Sequence, residues 1–273
     1  MKDAYLCDCY KNKIINKMIF TTLIYKALYW YISTVDKKNE VIFMNYGYHD
    51  ATESIELHEI DEVNRYSIQL YHRLAKMVDV NEKNIVEIGC GRGGGIAYIS
   101  KMFTPASAIG VDLNSKAVKF GNTHYELKNL KFEQGNAQSL HFDDESKDIV
   151  FNVESSHRYA KMDDFLSEVY RILKPGGYFL FTDFRYKDEM TDLVHLLAQY
   201  DFIKFDEQFI NNEVNTALDL DAKRREALVE KYAPPFLQKA LHNFAGNNGS
   251  TTYKQIKDGG IIYFVFCFQK PIK

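Results

Sequence analysis

The run NIVEIGCGRGGG at residues 84–95 constrains the fold more than any other stretch of this chain. Its β-branched residues read as a short buried strand, and they lead directly into glycines that allow a tight turn. Ala97–Met102 can begin a helix behind that turn. SAIGVDLN (107–114) repeats the pattern as a second strand ending in an acid, after which Ser115 caps a helical stretch. LKFEQGNA (130–137), DIVFNVES (148–155) and GGYFLFTDF (176–184) read as further strands. Between the last two, DDFLSEVYRILK is helical, and Lys174-Pro175-Gly176-Gly177 stops it. Strands alternating with helices predict a parallel sheet covered on both faces. Upstream, Ile60, Val63, Leu70, Leu74 and Met77 recur at helical spacing over 57–78 and predict an amphipathic helix. Downstream, DFIKFDEQFI (201–210) alternates like a strand, and residues 213–245 are helical, charged and broken at Pro234-Pro235. Gly259-Gly260 then introduces a final strand over 261–270.

Gly89, Gly91 and Gly94 satisfy the pattern GxGxxG, and Asp112 follows 23 residues after Gly89. In a dinucleotide fold such an acid takes the ribose hydroxyls of NAD. The same geometry suits S-adenosylmethionine, which carries an adenosine ribose but no pyrophosphate. There the glycines let the backbone approach the methionyl part, and Asp112 accepts bonds from the two ribose hydroxyls. The glycines alone leave both cofactors open.

The surrounding motifs discriminate by resemblance. VEIGCGRGGG, with Glu87 two residues before Gly89, then GVDLN, GNAQSL and RILKPGGYFLFTDF, resemble in order and spacing the motif series of class I S-adenosylmethionine-dependent methyltransferases over residues 84–184. The resemblance implies an α/β, Rossmann-like doubly wound sheet of seven strands whose last strand, supplied by 261–270, is antiparallel. It implies S-adenosylmethionine as cofactor and S-adenosylhomocysteine as product. It divides the chain into an N-terminal helical lid (1–80), a cofactor-binding core (81–210), a helical cap insertion (211–250) and a C-terminal strand that completes the core sheet (251–273). MNYGYHD (44–50), EIDEVNRYSIQLYHRL (59–74), NVESSHRY (152–159) and FAGNNGSTTYKQIKDGGIIYFVFCFQK (244–270) further resemble the phthiotriolone/phenolphthiotriolone dimycocerosate methyltransferase group. That likeness implies a lipophilic, lipid- or polyketide-like small-molecule acceptor.

The resemblance also implies site residues. Gly89, Cys90 and Gly91 line the cofactor with backbone, behind Glu87. Asp112 and Leu113 flank ribose and adenine. Asn136 and Ala137 stand where the family has Asp-Ala at the adenine, and Asn152 reaches the cofactor from the end of the fourth strand. Tyr48 and Glu154 are expected at the acceptor or lid, with Ser67 and Gln69 as further lid candidates. His157 follows the fourth strand at the carboxyl edge of the sheet, where doubly wound folds place ligands. A neutral imidazole there suits removal of a hydroxyl proton near neutral pH, so His157 is the expected catalytic base of O-methylation. C-methylation of an activated ring, enol or sterol-like carbon is the alternative. A non-catalytic, membrane-associated cofactor-binding protein is the reading from another class, and the complete cofactor motifs stand against it.

Composition narrows the partners. The net charge is −3, with no basic excess of the kind nucleic-acid binding needs. Cys7, Cys9, Cys90 and Cys267 form no CxxC pair and no zinc spacing, so neither a metal site nor a disulfide scaffold is expected, and a cytoplasmic location is. Residues 11–33 place Phe20, Leu23, Ile24, Ala27, Leu28 and Tyr31 on one helical face, with Lys26 interrupting the apolar run. This segment predicts neither a cleaved signal nor a membrane span. It packs on its own domain or makes peripheral contact with a membrane interface. Aromatic residues make up 14% of the chain, which fits an aromatic core or an apolar cavity. The sequence sets no oligomeric state.

Overall fold

The computed structural model describes residues 31–32 and 34–272. The expected helix over 11–33 lies outside the described residues apart from Tyr31 and Ile32, and so do Cys7 and Cys9. The chain forms two compact units, Met1–Val41 and Ile42–Lys273. Within the first, helical residues 31–32 and 34–35 precede buried Asp36, whose carboxylate accepts the Glu40 N–H at 3.0 Å and the Val41 N–H at 2.9 Å.

The second unit is built on a seven-stranded sheet. The strands are β1 (Asn84–Ile88), β2 (Ser107–Asp112), β3 (Leu130–Gln134), β4 (Lys147–Val153), β5 (Leu173–Tyr186), β6 (Ile203–Phe209) and β7 (Ile261–Gln269). Their spatial order is β3-β2-β1-β4-β5-β7-β6. The first five pair in parallel, while β7 runs antiparallel to both β5 and β6. Among the described residues nine α-helices have these bounds: α1 Arg65–Ala75, α2 Gly94–Met102, α3 Ser115–His124, α4 Met162–Ile172, α5 Lys187–Leu197, α6 Asn211–Leu220, α7 Ala222–Tyr232, α8 Gln238–Phe244 and α9 Thr251–Lys257. Strand order reverses between β1 and β4, so the loops after these two strands open a crevice at the carboxyl edge of the sheet.

Period-two alternation divides the core into two layers. Ile85, Phe151, Leu180, Val265 and Cys267 join α1 and α2 on one face. Val86, Val150, Phe179, Phe181, Phe264 and Phe266 join α4 and α5 on the other. Phe179 stacks on Phe181 at 5.0 Å and Phe264 on Phe266 at 4.4 Å. Such pairs add about 0.5–1.5 kcal/mol each beyond area burial, and most of the phenylalanines serve this core.

The amphipathic reading of 57–78 holds only from α1 onward. Ile60 and Val63 are 80% and 59% exposed, whereas Leu70 and Leu74 are fully buried. Residues Glu59–Asn64 form a 3-10 helix, in which side chains three apart eclipse one another. That geometry sends Ile60 and Val63 outward together, although their sequence spacing fits the buried stripe.

Between β6 and β7 the chain leaves the sheet as α6–α9. Asn211 closes the base of this insertion: its Nδ2 donates to the carbonyls of Ile256 and Ile261, and its Oδ1 accepts the Tyr263 N–H. No helix among the described residues is long and apolar enough to cross a membrane.

Candidate active site

Backbone shapes the first half of the crevice. After β1 the chain turns through Gly89, Gly91 and Gly93, with φ of +78°, +55° and +82°. A Cβ on Gly89 would lie 1.9 Å from Ser155 Oγ and 2.7 Å from the Tyr159 hydroxyl. Only glycine allows this approach of the β1 and β4 loops. Over Gly91 the space is open, with only Met44 Cε at ordinary contact, 3.5 Å. The Gly91 N–H donates to Asp112 Oδ2 at 2.8 Å, and the Asn114 N–H donates to Asp112 Oδ1 at 2.8 Å. Burial raises the Asp112 carboxyl above its ordinary value, and these two bonds act against that rise. Both oxygens keep lone pairs for further donors.

The other expected cofactor residues divide by burial. Glu87 is fully buried on β1; Oε1 accepts from the Tyr71 hydroxyl at 2.7 Å, and Oε2 has no partner. Burial pushes its carboxyl up to about 7. The Cys90 thiol is buried and raised well above its ordinary range, which keeps it protonated and inert. Leu113 is 59% exposed at the tip of β2, and Asn136 is exposed, with its Oδ1 accepting the Gln138 N–H. Ala137 beside it is half-buried. Asn152 is fully buried, and its Nδ2 donates to the Ile88 carbonyl at 2.8 Å and to the Tyr159 hydroxyl at 3.1 Å. Its side chain therefore braces the β1 turn from behind, while Asn152 Oδ1 has no partner. Tyr48, Ser67 and Gln69 are all buried; the Tyr48 N–H donates to the Tyr66 carbonyl, Asn45 Nδ2 donates to the Ser67 carbonyl, and Gln69 Oε1 is unpartnered.

Side chains from three strands build the second half. His157 sits in a short 3-10 turn, Ser156–Arg158, after β4. Its Nδ1 lies 2.7 Å from Asp183 Oδ1, and its backbone N–H donates to Asp183 Oδ2 at 2.9 Å. The Ser156 hydroxyl donates to the same Oδ2 at 2.6 Å, and Arg185 Nη1 stands 3.1 Å away. Burial alone would raise the Asp183 carboxyl, but His157, Arg185 and Ser156 outweigh it and hold the group well below the usual carboxylate range. An ionised Asp183 fixes the proton of His157 on Nδ1, leaving the lone pair on Nε2. That Nε2 is buried, with no partner among the described residues. Burial lowers the His157 pKa, Asp183 partly restores it, and the ring rests neutral. The imidazole lies on Phe184, with ring centroids 4.2 Å apart.

Glu154, three residues earlier, has φ of +43°, a region that non-glycine residues seldom occupy. Its Oε1 accepts the Tyr46 N–H at 2.7 Å and the Tyr263 hydroxyl. Arg225 of α7 donates to the Asn45 carbonyl at 2.8 Å and to the Ala245 carbonyl at 2.9 Å, so the 45–46 strap is held from the core and from the insertion. Asp183, Phe184, Tyr46, Tyr263 and Arg225 were not singled out by the motif reading. GGYFLFTDF contains Asp183 and Phe184, but strand periodicity says nothing about the loop an end residue will face.

An open cradle over Gly91, an acid at the tip of β2 and orphaned buried oxygens on Glu87 and Asn152 fit a cofactor that carries ribose hydroxyls and an ammonium group. Residues 86–181 match the model of a methyltransferase domain. The chain is 39% identical to the fatty-acid O-methyltransferase of Mycolicibacterium smegmatis, over 90% of this chain and 89% of that one. It is 37% identical to the phthiotriol/phenolphthiotriol dimycocerosates methyltransferase of Mycobacterium tuberculosis, over 92% and 94%. Among solved structures it resembles geranyl diphosphate C-methyltransferase from Streptomyces coelicolor, with a TM-score of 0.65 and 17% identity over 86% of this chain and 94% of that one. It also resembles the [4+2]-cyclase SpnF, with a TM-score of 0.64 and 15% identity over 88% and 97%. A cyclase on this fold shows that architecture alone does not fix the reaction; the sequence relatives do. The chain belongs to the S-adenosylmethionine-dependent methyltransferase family, and S-adenosylmethionine is its cofactor.

Proposed function

We propose that the protein transfers a methyl group to a hydroxyl of a lipophilic small molecule, lipid- or polyketide-like, with His157 as the base. The observation that carries this reading is the His157–Asp183 pair: a neutral imidazole, its tautomer fixed at 2.7 Å, with a buried and unpartnered Nε2. A carboxylate acceptor needs no base, whereas an aliphatic hydroxyl gains nucleophilicity as its proton leaves. The two mycobacterial relatives, one named for a fatty acid and one for dimycocerosates, support a lipophilic acceptor. Aromatic rings of Tyr46, Phe184 and Tyr263 beside His157 suit an apolar chain.

When bound, S-adenosylmethionine supplies an electrophilic methyl group on a sulfonium. The residues proposed to hold it are Glu87, Gly89, Cys90, Gly91 and Asp112, with Leu113, Asn136, Ala137 and Asn152 at the adenosine side and Tyr48 in the lid. Gly91 and Asp112 are coupled by a direct hydrogen bond, so the loop and the ribose acceptor are placed as one unit. His157 Nε2 accepts the hydroxyl proton, and Asp183 stabilises the imidazolium that forms, while alignment by the rest of the site supplies much of the rate.

His157→Ala tests the assignment. Turnover of a long-chain alcohol is expected to fall by about 10²–10⁴-fold, the usual range for a general base, with calorimetric affinity for S-adenosylmethionine within about threefold of wild type. Normal turnover by the variant removes His157 from the base role.

A further inference from the structure

The hydroxyl reading uses His157 and leaves Glu154 without a task, although no other group in the crevice is held so unusually. Its backbone is left-handed, with φ of +43°, and such strain collects where a side chain must be aimed. Oε1 is saturated by the Tyr46 N–H and the Tyr263 hydroxyl. Among the described residues no hydrogen bond reaches Oε2, and the residue is only partly buried, which leaves this oxygen able to meet a bound molecule. An unbroken aromatic wall links Glu154 to the base. Tyr263 lies 6.0 Å from Phe184, Tyr46 lies 5.6 Å from Phe184, and Phe184 lies against His157. The Tyr46 end of the wall cannot drift, because Arg225 holds the neighbouring carbonyl.

From this arrangement we infer that Glu154 Oε2 recognises a second oxygen of the acceptor, the one to be methylated facing His157 and its neighbour facing Glu154, three residues away in the same loop. The inference rests on the hydroxyl reading above. The substrate class it specifies is a vicinal or 1,3-dioxygenated chain: a diol, a hydroxy ketone or a hydroxy ether. Burial pushes the Glu154 carboxyl up to about 8, against the pull of Tyr263 and Tyr46. At neutral pH the group is then mostly protonated and can donate from Oε2 to a carbonyl, ether or hydroxyl oxygen. A plain alcohol would leave this donor facing an apolar chain, and an unmet buried polar group weakens binding by roughly tenfold or more.

The test uses the full-length protein with S-adenosylmethionine and three probes of equal chain length: 2-dodecanol, 2,3-dodecanediol and 2,4-dodecanediol. Wild type is expected to methylate at least one diol with a kcat/KM about tenfold or more above that of the mono-alcohol. Glu154→Ala is expected to bring that ratio to about 1. Glu154→Gln, which keeps an acceptor for Tyr46 and Tyr263 and places an N–H donor at the other position, is expected to restore most of the preference. Calorimetric binding of S-adenosylmethionine to both variants checks that each is folded. Equal turnover of mono-alcohol and diols by wild type overturns the inference, and so does a preference that survives in Glu154→Ala. In both cases the hydroxyl reading stands. Failure of wild type to methylate any of the three alcohols removes the hydroxyl reading, and the inference with it.

Discussion

The loop after β1 and the loop after β4 occupy neighbouring strand ends but are made of different material. The first is backbone: three glycines at positive φ, with one N–H delivered to Asp112. The second is side chain: His157 and Glu154 aimed by residues from β5, β7 and the 45–46 strap. The backbone loop suits what every enzyme of this kind must hold, the cofactor. The side-chain loop suits what varies, the acceptor. They approach where Gly89 faces Ser155 and Tyr159, and Asn152 ties them further through the Ile88 carbonyl and the Tyr159 hydroxyl.

This difference predicts opposite kinetic signatures. Asp183→Asn should damage chemistry and spare cofactor binding, because an amide no longer enforces the Nδ1–H tautomer or stabilises the imidazolium. The expected loss is about 100-fold or more in kcat, with S-adenosylmethionine affinity close to wild type. A matching loss in affinity would mean that the two loops are one site. Gly89→Ala should do the reverse. Its methyl group collides with Ser155 and holds a side chain at φ of +78°, at a strain of about 1–3 kcal/mol. Calorimetry should show affinity for S-adenosylmethionine reduced by about tenfold or more, together with a lower Tm.

The pH profile sharpens the comparison. As the proposed base, His157 has to be neutral, so kcat/KM is expected to fall as pH drops through a pKa held below the ordinary 6.5 by burial. Asp183 raises that pKa, so in Asp183→Asn the acid limb moves to still lower pH. A limb that stays in place assigns it to another group.

An effect on stability rather than on rate belongs to Glu87, beneath the glycine loop. Its carboxyl is raised from 4.5 to about 7, so between these values the folded state holds a proton that the unfolded state has lost. Stability therefore declines as pH rises from about 4.5 through 7, by up to roughly 3 kcal/mol. Glu87→Gln, measured by Tm without cofactor, should flatten that slope. Smallest of all, Ile60→Ser and Val63→Ser should change stability by no more than about 0.5 kcal/mol, since both side chains face outward. A core-sized loss would place them in an interface.

What was legible in the sequence follows the same division. The sheet could be read because β-branched runs and glycine turns act locally, and the antiparallel β7 followed from family resemblance. The positions of Gly89, Gly91 and Asp112 at the crevice could be read because the turn and its spacing are local. His157 could be read from its place after β4, but its partner could not. Asp183 lies 26 residues on, at the end of a strand whose alternation reports burial and not the direction of a terminal carboxylate. Glu154 stood among the candidates, yet its left-handed backbone and its bonds to Tyr46 and Tyr263, 108 and 109 positions away, arise only from the fold. Ile60 and Val63 misled for a local reason: a 3-10 turn and an α-helix share the i, i+3 spacing but present it on different faces.

The most direct test of the central claim is one incubation of the full-length protein with S-adenosylmethionine labelled with carbon-13 in its methyl group and a long-chain hydroxylated acceptor, followed by carbon–proton correlation spectroscopy of the product. The account predicts the labelled carbon bonded to oxygen, and the signal all but lost with His157→Ala. A labelled carbon bonded to carbon, or an O-methyl product formed equally well without His157, would contradict it.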